Sequence, residues 1–76
     1  MIKVFSKHNC AQCRMVKQWL NRENIEFTDS NIEEDPTSIK YLQDMGFKNV
    51  PVVFNDNELV CTGFNLKELR KLRSLQ

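Results

Sequence analysis

The stretch Ser6-Lys7-His8-Asn9-Cys10-Ala11-Gln12-Cys13 follows a strand-like run, Ile2-Lys3-Val4-Phe5, and opens a helical pattern. Its cysteines have the spacing C-x-x-C. Cys10 stands where the helix begins, so its sulfur faces unpaired backbone N–H groups and the positive end of the helix dipole, which favour the thiolate. Lys7 acts in the same direction. Cys13 comes one turn later, at the margin of the buried face, half-hidden and within bonding reach of Cys10.

This asymmetry between the two thiols predicts two-step thiol–disulfide exchange. Cys10 attacks a substrate disulfide as the nucleophile, and Cys13 resolves the mixed disulfide, which leaves a redox-active Cys10–Cys13 disulfide. A C-x-x-C inside a βαβ pattern is typical of this chemistry. A zinc site uses the same spacing but needs four ligands, and the other soft ligands are only His8 and Cys61. We therefore expect no metal, and a metal- or cluster-binding module is the weaker alternative.

The first half of the chain continues the alternation of strand and helix. The first helix should end near Asn24, and Ile25-Glu26-Phe27-Thr28-Asp29 alternates like a second strand. Asp35-Pro36 predicts the start of a second helix, because an N-cap acceptor precedes a proline at the first helical position. Gly46 is a left-handed stop for that helix. At about 100° per residue, the predicted core faces of the two helices are Met15, Val16, Trp19 and Leu20, then Ile39, Leu42 and Met45.

The second half of the chain predicts a hairpin and a last helix. Val50 to Phe54 is a third strand, residues 55–57 are a turn, and Glu58 to Cys61 is a fourth strand. Asn65 with Glu68 three residues later resembles a capping box. It opens a helix that carries Leu66, Leu69 and Leu72. We therefore predict an α/β fold of order β-α-β-α-β-β-α, with a four-stranded mixed sheet flanked by three helices in one domain, residues 1–76.

Val50-Pro51 is the second marker of a functional site. A proline that opens a strand after an extended residue is a candidate cis peptide bond. A cis bond would turn the Val50 backbone towards the cysteines, where it could pair with a docked substrate strand. An ordinary trans proline at a sheet edge is the alternative.

Length and composition limit the class of protein. The chain has 76 residues, and its 11 Lys and Arg against 10 Asp and Glu leave a net charge of +1, which argues against nucleic-acid binding. No apolar run approaches the roughly 20 residues of a transmembrane helix. We expect no signal peptide, because Met1 leads directly into the first strand, and an odd number of cysteines argues against a secreted disulfide scaffold. We expect a soluble, cytoplasmic monomer without a membrane partner. Residues 1–25 are basic and residues 26–58 acidic, so the molecule should be dipolar.

These motifs together resemble the thioredoxin superfamily, glutaredoxin branch, and more narrowly the NrdH-type redoxins. The resemblance rests on Cys10-Ala11-Gln12-Cys13, Val50-Pro51 and Thr62-Gly63-Phe64, and it covers Ile2 to Leu72. It implies a thioredoxin-like fold and an oxidoreductase in electron transport and cell redox homeostasis. It also implies thioredoxin reductase as the reductant, NADPH used only through that enzyme with no cofactor bound, and class Ib ribonucleotide reductase as the acceptor.

The choice between redoxin and glutathione-dependent glutaredoxin depends on two segments. Glutaredoxins typically carry Cys-Pro-Tyr-Cys, whereas Gln12 before the second cysteine matches the redoxins. The loop Thr62 to Lys67 lacks the second glycine and the aspartate that anchor glutathione in glutaredoxins. It also lacks the tryptophan, arginine and proline usual in NrdH-type proteins, and His8 replaces a family proline. The glutathione-linked enzyme is therefore the alternative, and the predicted substrate-binding residues are Lys7, Ala11, Gln12, Val50, Pro51, Gly63 and Phe64.

Three further side chains have two interpretations each. His8 could relay a proton to Cys10, but an exposed loop residue is the simpler interpretation. Cys61 could be a third redox station, although a buried, inert strand cysteine is favoured. Phe64 could be either a docking contact or a packing residue.

Overall fold

The structure, a computed structural model, describes residues 1–75. Four strands and three helices follow in the predicted order, and a 3₁₀ segment, Arg70–Leu75, extends the last helix. The bounds are β1 (Ile2–Ser6), α1 (Ala11–Arg22), β2 (Phe27–Asn31), α2 (Pro36–Asp44), β3 (Val52–Asn55), β4 (Glu58–Thr62) and α3 (Leu66–Leu69).

The sheet has the strand order β2-β1-β3-β4 and is mixed, as predicted. Strand β1 pairs in parallel with β2 and antiparallel with β3, and β4 is antiparallel to β3. Phe5 near the end of β1 pairs with Val52 at the start of β3. The register therefore brings the cysteine loop after β1 next to Val50-Pro51, although Cys10 and Val50 are 40 positions apart in sequence.

The two faces of the sheet carry separate apolar clusters. Successive residues of β1 point to opposite faces, so Val4 packs with the α1 cluster and Phe5 with the α2 cluster. The first cluster includes the buried α1 residues Val16, Trp19 and Leu20, which confirms Trp19 as a core residue. The second cluster is smaller, and Leu42 is the buried member that α2 supplies.

Two methionines predicted for the core are instead about half exposed. The buried face of α1 runs from Cys13 through Leu20 and Val16 to Trp19, and at about 100° per residue Met15 lies beyond the Trp19 edge. Met45 is the C-cap of α2 and follows the last helical residue, Asp44, where the helical spacing behind the prediction ends. Both side chains are 45% exposed, so both predictions were wrong.

Helix ends explain why the second strand begins two residues later than predicted. Asn24 adopts a left-handed φ of 58°, and the N–H of Ile25 donates to the carbonyl of Leu20 at 2.9 Å. With the bond from Asn24 N–H to Asn21, this forms a Schellman motif whose apolar contact needs Ile25 in the core. Ile25 therefore closes α1 and does not start β2.

The hairpin and the last helix also differ from prediction. Asn55 pairs with Glu58 inside the sheet, so the turn has two residues, Asp56 and Asn57. Val53 pairs with Cys61, and the register of the two strands shifts between Val53 and Phe54, so that Phe54 pairs with Leu59. The last helix has only four α-helical residues, and Leu72 reaches the core from the 3₁₀ segment. None of the helices in the described residues is long and apolar enough to span a membrane.

Candidate active site

Cys10 is the N-cap of α1. Its Sγ accepts a hydrogen bond from the backbone N–H of Cys13 at 3.2 Å, so the sulfur occupies the acceptor position of a helix cap. The first turn of α1 carries no acidic residue that would oppose a thiolate. Asn9, with a φ of 54°, supplies the sharp turn that separates β1 from the helix. Helix geometry therefore favours negative charge on this sulfur.

Cys13 forms a disulfide with Cys10, and the two Cα atoms are 5.2 Å apart. The Cys13 side chain is 1% exposed, whereas Cys10 is partly exposed. The resolving cysteine therefore lies deeper than the half-hidden position predicted, because its side chain is part of the buried face of α1. One sulfur of the pair is open to a substrate, and the other is enclosed by protein.

The Val50–Pro51 peptide is cis, as predicted. The carbonyl oxygen of Val50 lies 4.0 Å from the Sγ of Cys10, and Pro51 is fully buried. The backbone before β3 therefore borders the reactive sulfur, where an extended substrate could find a hydrogen-bond partner. The carbonyl of Pro51 accepts from the N–H of Gly63 at 2.9 Å, which connects this loop to the loop after β4.

Gln12 joins the C-x-x-C to that second loop. Its side-chain oxygen accepts the N–H of Phe64 at 3.3 Å. Gly63 has a φ of 68°, and a Cβ there would lie 2.9 Å from the same oxygen. Gln12 is exposed, but its side-chain oxygen is already used in the hydrogen bond to the loop. Phe64 is half-buried and packs against the α1 cluster, so part of its side chain is already in contact with the core.

Lys7 and Ala11 are exposed beside the cysteines. Lys7 and Val50 line a groove of about 280 Å³ whose lining also includes half-buried and buried apolar side chains. Lys7 also lines a second groove, of about 410 Å³, together with both cysteines. The seven predicted substrate-binding residues therefore lie around Cys10 on three segments of the chain, and their contacts with a substrate stay a prediction.

His8 and Cys61 differ in exposure, as one is exposed and the other buried. His8 is exposed, and its ring nitrogens lie 3.2 Å from Glu33 and 3.7 Å from Glu34. Cys61 is a free thiol, 5% exposed, and burial raises its pKa from the usual 9.0. Its Sγ donates to the carbonyl of Gly63 at 3.7 Å. In residues 1–75 no three His, Cys, Asp or Glu side chains come together as a metal site would require.

A polar network next to the cysteines has no counterpart in the sequence-based predictions. Asp29 on β2 accepts from the hydroxyl of Ser6 at 2.6 Å and from the ammonium group of Lys17 at 3.0 Å. Ser6 is 1% exposed. These three residues come from two strands and a helix, and only the register of β1 against β2 brings them together.

Comparison with known proteins shows which family this chain resembles. The family model described as glutaredoxin matches residues 2–60. The glutaredoxin-like protein NrdH of Lactococcus lactis subsp. cremoris is 43% identical over 72 residues, which cover 95% of this chain and 99% of that protein.

Two solved structures illustrate the fold. The NrdH-redoxin of Escherichia coli, whose study concerns its thioredoxin-like activity profile, superposes with a TM-score of 0.87 at 24% identity, covering 93% of this chain and 92% of that one. A buckwheat glutaredoxin in complex with glutathione superposes with a TM-score of 0.76 at 22% identity, covering 97% and 72%.

Proposed function

This chain belongs to the glutaredoxin family. We propose that it is an electron donor that thioredoxin reductase reduces and that in turn reduces class Ib ribonucleotide reductase. It is a thiol–disulfide oxidoreductase, similar along nearly its whole length to NrdH proteins. The reductase, the acceptor, the indirect use of NADPH and a cytoplasmic, monomeric state belong to the proposal. The observation that carries it is an open sulfur at a helix N-terminus with a buried partner one turn away.

The reaction proceeds in two displacements at sulfur. The Cys10 thiolate attacks a substrate disulfide, one substrate sulfur leaves as a thiolate, and a mixed disulfide remains on Cys10. Cys13 then loses its proton and attacks the Sγ of Cys10, so the second substrate sulfur leaves and the Cys10–Cys13 disulfide forms. Two electrons from a reductant restore the dithiol. Enclosure of Cys13 keeps this thiol available for the intramolecular step.

The loop after β4 supports a protein reductant and argues against glutathione. Thr62 to Lys67 contains no carboxylate, so an ammonium group from glutathione would find no counter-charge on this loop. The N–H of Phe64, a donor that a ligand carboxylate could use, already bonds to Gln12. A reductase that recognises a protein surface does not need either group.

The acceptor is proposed from similarity and surface charge. The relative at 43% identity is an NrdH protein. Around the cysteines, Lys7 and Arg14 line a groove in which Asp29 already pairs with Lys17, and we propose that these two exposed cations favour approach of an acidic segment that carries the substrate disulfide. We propose that Ala11 and the backbone of Val50 contact this segment next to the reacting sulfurs.

Recycling of the oxidised protein tests the proposed reductant. NADPH consumption is measured with thioredoxin reductase in one arm, and with glutathione and glutathione reductase in the other, with a protein disulfide as the final acceptor. Turnover in the first arm alone is the expected result. Turnover in the glutathione arm alone would establish the alternative, a glutathione-dependent glutaredoxin.

The acceptor is tested separately from the reductant. Class Ib ribonucleotide reductase is assayed for deoxyribonucleotide formation with NADPH and thioredoxin reductase, with and without this protein. We expect product only when the protein is present. Equal product without it, or none with an independently reduced sample of the protein, would refute the proposed acceptor while leaving the oxidoreductase chemistry intact.

A further inference from the structure

The resolving sulfur borders a charged groove although it is almost inaccessible. Cys13 is 1% exposed, yet it lines the 410 Å³ groove with Cys10. The ionisable side chains that face this groove come from every neighbouring element: the β1–α1 loop, α1, β2 and the segment after β2. They are Lys7 and His8, Arg14 and Lys17, Asp29, and Glu34.

Two pairs of these groups lie within ion-pair distance, and Lys17 with Asp29 is less exposed than His8 with Glu34. Lys17 is four residues after Cys13, so both side chains project from the same side of α1 one turn apart. Asp29 holds the Lys17 ammonium group at 3.0 Å, and the buried hydroxyl of Ser6 binds its other carboxylate oxygen at 2.6 Å. The Lys17 side chain is 28% exposed and that of Asp29 38%, so solvent screens this pair only in part.

The position of Asp29 is unusual for packing alone. Asp29 pairs with Val4, which is fully buried in the α1 cluster, so the carboxylate stands on the face of the sheet that α1 covers. An apolar residue would extend that cluster at no electrostatic cost. The residue found there is instead anionic, and it is held between a strand hydroxyl and a helix lysine at the groove that reaches Cys13.

We propose that Lys17 and Asp29 are positioning residues of the second displacement, acting through the opposite charges that they hold beside Cys13. In that step the Cys13 thiol gives its proton to water, its sulfur forms a bond to the Sγ of Cys10, and the bond from Cys10 to the substrate breaks. The electron pair of the broken bond leaves with the substrate sulfur, which takes up a proton from solvent. The Lys17 ammonium favours the Cys13 thiolate that must form, and the Asp29 carboxylate opposes it.

The inference rests on dithiol exchange by this pair and is independent of the proposed reductase. Reduced protein is mixed in a stopped-flow instrument with excess neutral dithiodipyridine, which releases one absorbing thiopyridone at each displacement. The first phase reports attack by Cys10 and depends on reagent concentration. The second phase reports attack by Cys13 on Cys10 and does not depend on reagent concentration. Both phases are followed across the pH range.

The two charges predict opposite changes in the second phase. We expect Lys17→Met to move the pH midpoint of that phase upward and to slow it at neutral pH about three- to tenfold. Asp29→Asn should move the midpoint downward and accelerate the phase at neutral pH. The first phase should keep its midpoint, and Lys17→Arg should restore the second phase. Lys17→Gln replaces Lys17→Met if the methionine variant does not fold.

The matched control is Lys40→Met, which removes an exposed cation from α2 and should leave both phases unchanged. A pair that only stabilises the fold would shift neither midpoint, or both variants would change the second phase in the same direction. Either result overturns the inference. Equal shifts in both phases also overturn it, because the pair would then act on Cys10. Failure to turn over with thioredoxin reductase would touch only the proposed function.

Discussion

Cysteine occurs in two regions of this molecule with opposite surroundings. At the start of α1, Cys10 caps a helix and is partly exposed, and it is paired with Cys13. In β4, Cys61 is enclosed by the α1 cluster, and burial raises the pKa of its thiol. The loop after β4 joins the two regions, because Gly63 lies two residues after Cys61 and against Gln12.

The difference between these regions shows that the position of a cysteine along the backbone decides how readily its thiol ionises and reacts. Unpaired N–H groups of a helix start stabilise a thiolate. At Cys61 the loss of water outweighs the one backbone hydrogen bond, from Asn65, that would stabilise a thiolate. The Cys61 thiol donates to a carbonyl, which requires that it keep its proton. Reactivity therefore belongs to the start of α1.

The largest expected effect separates the two regions directly. Cys10→Ser should abolish reduction of a protein disulfide, because the first displacement loses its nucleophile. Cys61→Ser should retain activity within about twofold, since this sulfur takes no part in either displacement. Steady-state reduction of a disulfide substrate measures both variants. Comparable losses in the two variants would remove the distinction between the regions.

The second effect concerns order within the pair. Cys13→Ser should accumulate a covalent complex between Cys10 and its substrate protein, because the resolving thiol is absent. Non-reducing electrophoresis and intact mass measurement detect this complex, and Cys10→Ser is the matched control that should form none. A complex formed through Cys13 in the control would reverse the assigned roles.

A smaller effect is expected where the loop joins the two regions. Gly63→Ala should lower the free energy of unfolding by about 1–2 kcal/mol, because alanine disfavours a positive φ and its Cβ would meet the side-chain oxygen of Gln12. Urea unfolding measures the change. Adding Gln12→Ala should recover only the part due to the close contact. An unchanged free energy in Gly63→Ala would show that the loop relaxes without cost.

The sequence predicted the order of elements because each boundary carries a local signal. Asp35-Pro36 opens α2, and Gly46 ends it with a φ of 89°. The C-x-x-C is visible directly in the sequence, and the cis Val50–Pro51 peptide was predictable because cis bonds occur almost only before proline. Their meeting at Cys10 then follows from the antiparallel pairing of β1 with β3.

Features that depend on register or on side-chain reach were not predictable in the same way. Asp29 reads as a polar residue ending a strand, and only the pairing with Val4 places it against α1. The contact between Gln12 and Phe64 spans 52 positions in sequence. Ile25 alternates like a strand residue but serves as the apolar end of a Schellman motif, because tertiary packing outweighed local pattern.

The smallest expected effect is on the pH dependence of stability. The pKa of Cys61 is raised in the folded state, so the unfolded thiol ionises first. Its contribution is complete below the usual value of 9.0 and is lost as pH rises through the folded pKa. Cys61→Val should therefore show a shallower fall in unfolding free energy above about pH 9 than the parent protein does. Identical slopes in urea unfolding would contradict the burial effect.

The most direct test is the ultraviolet absorbance of thiolates as the reduced protein is titrated, compared among the parent, Cys10→Ser and Cys13→Ser. We predict one thiolate that forms at distinctly lower pH than the other two and disappears only with Cys10→Ser. Three thiols that ionise together, or an early transition that survives Cys10→Ser, would contradict the account.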